Sequence, residues 1–431
     1  MSGTIEKGLM HDERGGSGMR ICVVTSLPAA AEPRAPRHAV AAKRAFPDAE
    51  VIFIDLIAHG QERPPDPQIL RSEGIRRLSV EFPTRAASIF SLATRKAITR
   101  LGRIGFAATG YISEGLFGDR AQGLTRALMS TPATLYIAHN VETLLPAARA
   151  ARRHGARLIF DCMEYYSDMG DSQSTLEGSA ARRLEARLLP ACALVIASSD
   201  DLADVLATEY CIRRPLAAYN VPATEITLPE RRGGGLNLYW RNSTLGFGQR
   251  GLEDMLQAMV RLPADVRLFL QGRLPPDGGF SLSERLNELG LRERVIVLPP
   301  YVPEDAVRQA AIHDVGLCLE RRGPKNHELT VSNKMFDYHM GALAVVSSDL
   351  PSLARVIGRS KGGLLFRAGD PVSLAETIWQ LKSSPSLLSE LQANARHFAM
   401  EEANLDREIG NIVSALRAAI LPTVLNSTIA S

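Results

Sequence analysis

Apolar and polar positions along the chain fall into alternating blocks. From Met19 the apolar run RICVVTSL is followed by PRAPRHAVAAKRAF, which has helical spacing, and then by a second apolar run, AEVIFIDL. The order returns in TLYIAHN, the helical TLLPAARAARRHG, ARLIFDCMEYY, the helical SAARRLEARLLPAC and ALVIASSD. Short apolar runs that alternate with helical spacing predict a parallel sheet with helices on its faces. Between Pro64 and Pro132 the pattern predicts a long, mostly helical segment.

After Asn220-Val221-Pro222 the composition shifts. TEITLPERRGGG is rich in charge, proline and glycine, and it predicts an interdomain linker. A second alternating unit follows: LNLYW, GLEDMLQAMVRL, VRLFLQG, SLSERLNELG, RVIVLPP, EDAVRQAAI and VGLCLE, then the helix and strand of SNKMFDYHMGALAVVSSDLP. The predicted organisation is a disordered N-terminus over 1–18, a first Rossmann-like domain over 19–222, a linker over 223–235, a second Rossmann-like domain over 236–400, and a C-terminal helix and tail over 401–431 that can return to the first domain. The fold class is therefore α/β: two Rossmann-like, doubly wound domains facing each other across a cleft. Ligands of such sheets sit beyond the carboxyl ends of the strands.

A length of 431 residues suits two such domains. A formal net charge of +3 demands no nucleic-acid partner, and none is expected. Cys22, Cys162, Cys192, Cys211 and Cys318 are scattered, without a CxxC pair or zinc-ligand spacing, so no metal is expected. No apolar run is long enough to cross a bilayer, and MSGTIEKGLMHDERGGSG lacks the apolar core of a signal peptide, which predicts a cytoplasmic protein. From Phe82 to Ser113 the chain holds Arg85, Arg95, Lys96, Arg100 and Arg103 but no acid, interleaved with Phe90, Leu92, Ile98, Leu101, Ile104 and Phe106. An amphipathic helical pair packed on the sheet accounts for that stripe. The alternative is a basic surface at 82–113 that meets anionic lipid on the inner face of the membrane.

The charged first turn of SNKMFDYHMG carries the strongest chemical signal. Ser332 or Asn333 can cap the helix, leaving free N-H groups and the positive end of the helix dipole toward the cleft, where a phosphate would suit them. Lys334 adds a full charge, and Asp337 one turn deeper can accept hydrogen bonds from ribose hydroxyls. A local pair between Lys334 and Asp337 is the plain structural alternative.

The run N-K-M-F-D-Y-x2-G-x3-V-V-S-S-D resembles the C-terminal motif of the retaining GT-B glycosyltransferases of family 4. So do R-G-L-E-D-M-L-Q-A-M from Arg250, Y-V-P-E-D-A-V from Tyr301, D-V-G-L-C-L from Asp314 and G-G-L-L-F-R-A-G-D-P from Gly362. In the first half A-H-N-V-E-T-L-L-P-A, F-D-C-M-E-Y-Y and Y-N-V-P stand in the family's order. The resemblance implies that a sugar moves, with retention, from a nucleotide diphosphate sugar to a hydroxyl of a glycan or glycolipid. It gives Arg250 and Lys334 the donor diphosphate, Asp337 the ribose, and the Tyr301-Val302 backbone the base. No cofactor is implied, because cations and a helix dipole can stabilise the departing phosphate.

The sequence also departs from the family pattern. The position eight residues before Asp337, often acidic in the family, is Leu329, with Glu328 beside it; Glu320 and Glu328 are eight apart but out of frame. Glu328 is kept as a candidate contact to the donor sugar, and His139, at the end of an apolar run, as a sugar contact. Met163 stands where the family commonly has a histidine, which leaves Glu164 as the candidate acceptor contact. Two rival functions remain: a nucleotide-sugar epimerase of the same fold, and a catalytically degenerate binding subunit of a glycan-assembly complex.

Overall fold

The computed structural model describes residues 18–58, 63–82, 89–117, 119–170, 175–224, 226–248, 250–275, 278–300 and 303–420. The N-terminal stretch expected to be disordered, Arg85, the side chains of Phe90, Leu92 and Arg95, and Tyr301 and Val302 lie outside the described residues.

The first half is a seven-stranded sheet of β1 (Arg20–Val24), β2 (Glu50–Ala58), β3 (Arg76–Phe82), β4 (Leu135–His139), β5 (Arg157–Cys162), β6 (Leu194–Ala197) and β7 (Leu216–Ala217). Its order is β3-β2-β1-β4-β5-β6-β7, and every pairing is parallel. Apolar side chains on both faces explain why its strands read as continuous apolar runs. Ile21, Val23, Ile137 and Ile159 fill one face, while Cys22, Val24, Tyr136 and Phe160 fill the other.

The second half contains β8 (Leu236–Thr244), β9 (Val266–Arg273), β10 (Val295–Leu298), β11 (Val315–Cys318), β12 (Ala344–Ser348) and β13 (Gly363–Phe366). These form a parallel sheet in the order β10-β9-β8-β11-β12-β13. In both sheets the strand order reverses beside the first strand, so a crevice opens at the carboxyl ends of β1 and β4 and another at those of β8 and β11. The cleft lies where these two ends meet.

The segment expected to be mostly helical contains an edge strand, β3, with sequence RRLSVEF. A buried cation disguised it: Arg77 Nη2 lies 2.7 Å from Asp55 Oδ2, and neither side chain is exposed. At the other end of the chain the helix Leu405–Ile420 packs Ile409, Ile412 and Leu416 into the first domain's core, beside Ala35 and Ala39 of the helix Arg34–Ala45. Arg417 Nε also donates to the Ala45 carbonyl at 3.1 Å.

Candidate active site

The cleft between the carboxyl ends of the two sheets holds a cavity of about 340 Å³, lined from both domains. Its second-domain wall is the start of the helix Asn333–Met340, where Ser332, Asn333 and Lys334 line the cavity. Met335, Phe336 and Met340 point away into the core, which fixes the helix's rotation. Ser332 occupies the N-cap position in an extended conformation, and its side chain makes no capping hydrogen bond.

Lys334 and Asp337 do not pair with one another. Lys334 Nζ lies 2.7 Å from Glu320 Oε1 with both side chains nearly buried, and sits 5.8 Å from the centre of the Trp240 ring. Burial pushes the Glu320 carboxyl up, but Lys334 and then Arg250 outweigh it and hold it below its ordinary value. Arg250 is half exposed at the mouth, 4.0 Å from the same carboxylate oxygen. Asp337 is gripped by Arg241 Nη2, and the Arg241 backbone N-H donates to the Tyr338 hydroxyl at 3.2 Å. Burial opposes charge on Arg241, yet the contact with Asp337 holds its guanidinium protonated, above its ordinary value. Arg241 and Glu320 line the cavity, whereas Asp337 stands one turn behind them.

Across the cleft Glu164 follows β5. Its Oε2 accepts from Asn326 Nδ2 at 2.6 Å, while Asn326 Oδ1 accepts the Tyr165 N-H at 2.7 Å. Burial raises the Glu164 carboxyl above its ordinary value, against the opposing hydrogen bond from Asn326 and the charges of Arg250 and Arg34. Met163 and Glu164 also line a second cavity of about 510 Å³ that runs into the first domain past Asn140, Glu142 and Phe117. Glu164 therefore stands where the two cavities join.

His139 does not reach the surface of the cleft. It is fully buried, with Nδ1 2.9 Å from Asp161 Oδ2 and its ring 4.7 Å from that of His38. Arg34 closes the group, meeting both Asp161 oxygens at 2.7 Å. His38, His139 and Asp161 are close enough to share a metal ion. However, the Arg34 guanidinium already occupies both carboxylate oxygens and sets a positive charge beside them, which makes an arginine-filled network of this group. Burial pushes His38 well below its ordinary value despite Asp161, so it is neutral. Glu328 is not among the residues lining either cavity; its carbonyl accepts from Ser352 Oγ at 2.9 Å.

Of the expected residues, the cleft cavity brings together Glu164, Arg250, Ser332, Asn333 and Lys334, leaving His139, Glu328 and Asp337 off its surface. Sequence reasoning missed Arg241 and Asn326, and set Glu320 aside as out of frame. A cation just after LNLYW, at the carboxyl end of the central strand, was an available signal for Arg241. Asn326 had none, since its role depends on contact between the domains.

Residues 17–228 match the family described as Glycosyl transferase 4-like domain. No curated protein matches the sequence. Among solved structures, HepE of Anabaena in complex with UDP is 14% identical, with a TM-score of 0.66 over 93% of this chain and 100% of that one. Sucrose-phosphate synthase from Thermosynechococcus elongatus is 13% identical, with a TM-score of 0.67 over 93% and 99%. The lipopolysaccharide outer core galactosyltransferase WaaB is 14% identical, with a TM-score of 0.60 over the same shares. The fold is GT-B, and with a glycosyltransferase domain over 17–228 the protein is a glycosyltransferase.

Proposed function

We propose that the protein moves a sugar, with retention of anomeric configuration, from a nucleoside diphosphate sugar to a hydroxyl of a glycan or lipid-linked glycan, without an essential metal. The observation that carries this reading is the convergence of Lys334, Arg250 and the start of the helix Asn333–Met340 on one wall of the cleft, with Glu164 on the other. Complexes of the Anabaena neighbour with UDP and with UDP-glucose support a donor of this kind.

The donor diphosphate lies against Arg250 and Lys334, which supply the charge stabilisation that a departing phosphate needs. Asp337 is assigned the ribose through the Arg241 corner, and the Tyr301-Val302 backbone the base. Glu320, beside the diphosphate cations, is offered to hydroxyls of the donor sugar. The acceptor occupies the second cavity, with its hydroxyl beside Glu164. The bond from the anomeric carbon to the β-phosphate breaks, the acceptor oxygen attacks from the same face, and the phosphate oxygen takes its proton. No protein nucleophile is required.

Product analysis tests this reading. With donor and acceptor together, the new glycosidic bond is expected to keep the donor's anomeric configuration by NMR, and chelator is expected to leave the rate unchanged. Turnover of nucleotide sugar to an epimer without acceptor would favour the epimerase, and nucleotide binding without turnover under any acceptor would favour the binding subunit.

A further inference from the structure

We propose that the first domain docks on an anionic lipid bilayer through the face centred on Tyr111. The helix Ile89–Thr109 is fixed to the domain by Gly102, where a Cβ would stand 2.7 Å from the Leu116 backbone nitrogen. Its neighbouring side projects Ile98, Leu101 and Ile104 at three-residue intervals, exposed by 36%, 66% and 54%, and Tyr111 just beyond the helix is exposed by 60%. Large apolar side chains gathered on one surface mark an interaction site.

Cations ring these residues. One hollow beside Tyr111 is bordered by Arg183 and Arg187, another by Arg149, Arg152 and Arg187, and a third by Ile98 and Leu101. Exposed Lys96 and Arg100 extend the basic rim along the helix. Two acids belong to the same region, and both are neutralised: Glu114 pairs with Arg149, and Glu177 with Arg103 at 2.5 Å. Among the described residues Lys96, Arg100, Arg152, Arg183 and Arg187 form no ion pair, so their charge is available to a partner.

Apolar side chains surrounded by cations fit the boundary between headgroups and acyl chains, where the first insert and the second meet anionic phosphates. A soluble polyanion would use the cations and leave Leu101, Ile104 and Tyr111 in water. Among the described residues no helix is long and apolar enough to cross a membrane, so contact through this face would be peripheral. Thr99 and Arg103, on another side of the same helix, line the second cavity. Docking would therefore bring that cavity to the lipid surface, where a lipid-linked acceptor resides; only this last consequence rests on the proposed function.

Flotation of the full chain with phosphatidylcholine vesicles, with and without phosphatidylglycerol, tests the proposal. Each basic residue near an anionic leaflet strengthens binding about fivefold, so partition onto the anionic vesicles is expected to be at least tenfold higher and to fall with salt. The pair Arg183→Gln/Arg187→Gln should lower it about 25-fold and, on a separate element, Leu101→Gln/Ile104→Gln by at least about tenfold, each with an unchanged melting temperature. Equal partition onto neutral and anionic vesicles, or capture by a single-stranded RNA oligomer without vesicle binding, would overturn it. Should one variant melt early, the other decides. Flotation needs no nucleotide sugar, and a transfer assay with a soluble acceptor reads the proposed reaction separately.

Discussion

Asn326 of the second domain holds Glu164 of the first with one end of its amide, at 2.6 Å, and uses the other to accept the neighbouring Tyr165 N-H at 2.7 Å. Among the described residues, the only carboxylate lining both the cleft and the second cavity is thus positioned by the opposite domain. Contact between the domains at Asn326 and the placement of Glu164 are therefore coupled. The adjoining backbone strengthens the link, because Lys325 N-H donates to Asp168 Oδ2 at 3.1 Å and Asn326 N-H to the Asp168 carbonyl at 3.1 Å.

Asn326→Ala is expected to shift the pH dependence of transfer. Burial already raises Glu164, and the Asn326 hydrogen bond opposes that rise. Removing the bond leaves burial less opposed, so the pKa moves up and the acid limb of kcat/KM moves to higher pH. A charged group's lost hydrogen bond is worth roughly 1.5–3 kcal/mol, so the limb should move up by about one to two pH units. A profile that keeps its limb while losing amplitude would mean that Glu164 does not titrate in the reaction.

Lys334→Ala should lower kcat/KM by about 10² to 10³, the scale of a lost donor that stabilises developing charge. It also leaves the buried Glu320 carboxylate with the half-exposed Arg250 at 4.0 Å in place of a close cation, so stability should fall as well, by up to roughly 3–5 kcal/mol. The double variant Lys334→Met/Glu320→Gln separates the two effects. It is expected to regain most of the melting temperature and none of the turnover. Arg250→Ala, with its half-exposed side chain, should lose turnover at nearly constant stability.

The architecture was legible because a parallel sheet buries both faces of its strands: RICVV, LYIAH and VGLC are unbroken apolar runs, and each became a central strand. β3 was not legible, since an edge strand whose buried position is filled by Arg77 reads as polar. The cleft wall was legible where its lining lies within one turn, as at Ser332, Asn333 and Lys334. It was misread where partners come from far along the chain. Lys334 and Asp337 are three positions apart, yet each found a charge on a different strand end, Glu320 after β11 and Arg241 in β8. His139 was placed correctly at the end of its strand. Its depth, however, depends on Arg34 and Asp161, which no local pattern brings together.

Stability should depend on pH through Glu185, a core carboxyl that accepts from the Tyr210 hydroxyl at 2.8 Å. Burial raises it from 4.5 to about 7, so the folded state prefers its neutral form. A group with a raised folded pKa stabilises fully below its unfolded value, and that contribution is lost as pH rises through the folded one. The loss runs from about pH 4.5 to just above pH 7 and amounts to roughly 3 kcal/mol at most. Glu185→Gln should therefore melt higher than wild type at pH 8 and alike at pH 4. Equal melting curves at both pH values would show that Glu185 is charged in the fold.

Gly316→Ala is expected to disturb the site from behind. Gly316 lies in β11, and a Cβ there would stand 2.3 Å from Tyr338 Cδ2 and 2.9 Å from Tyr338 Cβ. The ring cannot yield alone, because its own Cβ is in the way, so the helix Asn333–Met340 must move. Overpacking of this kind costs about 1–3 kcal/mol. The Tyr338 hydroxyl accepts the Arg241 backbone N-H, and Asp337 is the next residue, so the displacement reaches the Arg241-Asp337 pair and the Lys334 turn together. Calorimetry should show weaker binding of a nucleoside diphosphate, by at least tenfold, in a protein that is still folded. Unchanged nucleotide affinity alongside a lowered melting temperature would separate this helix from the donor site.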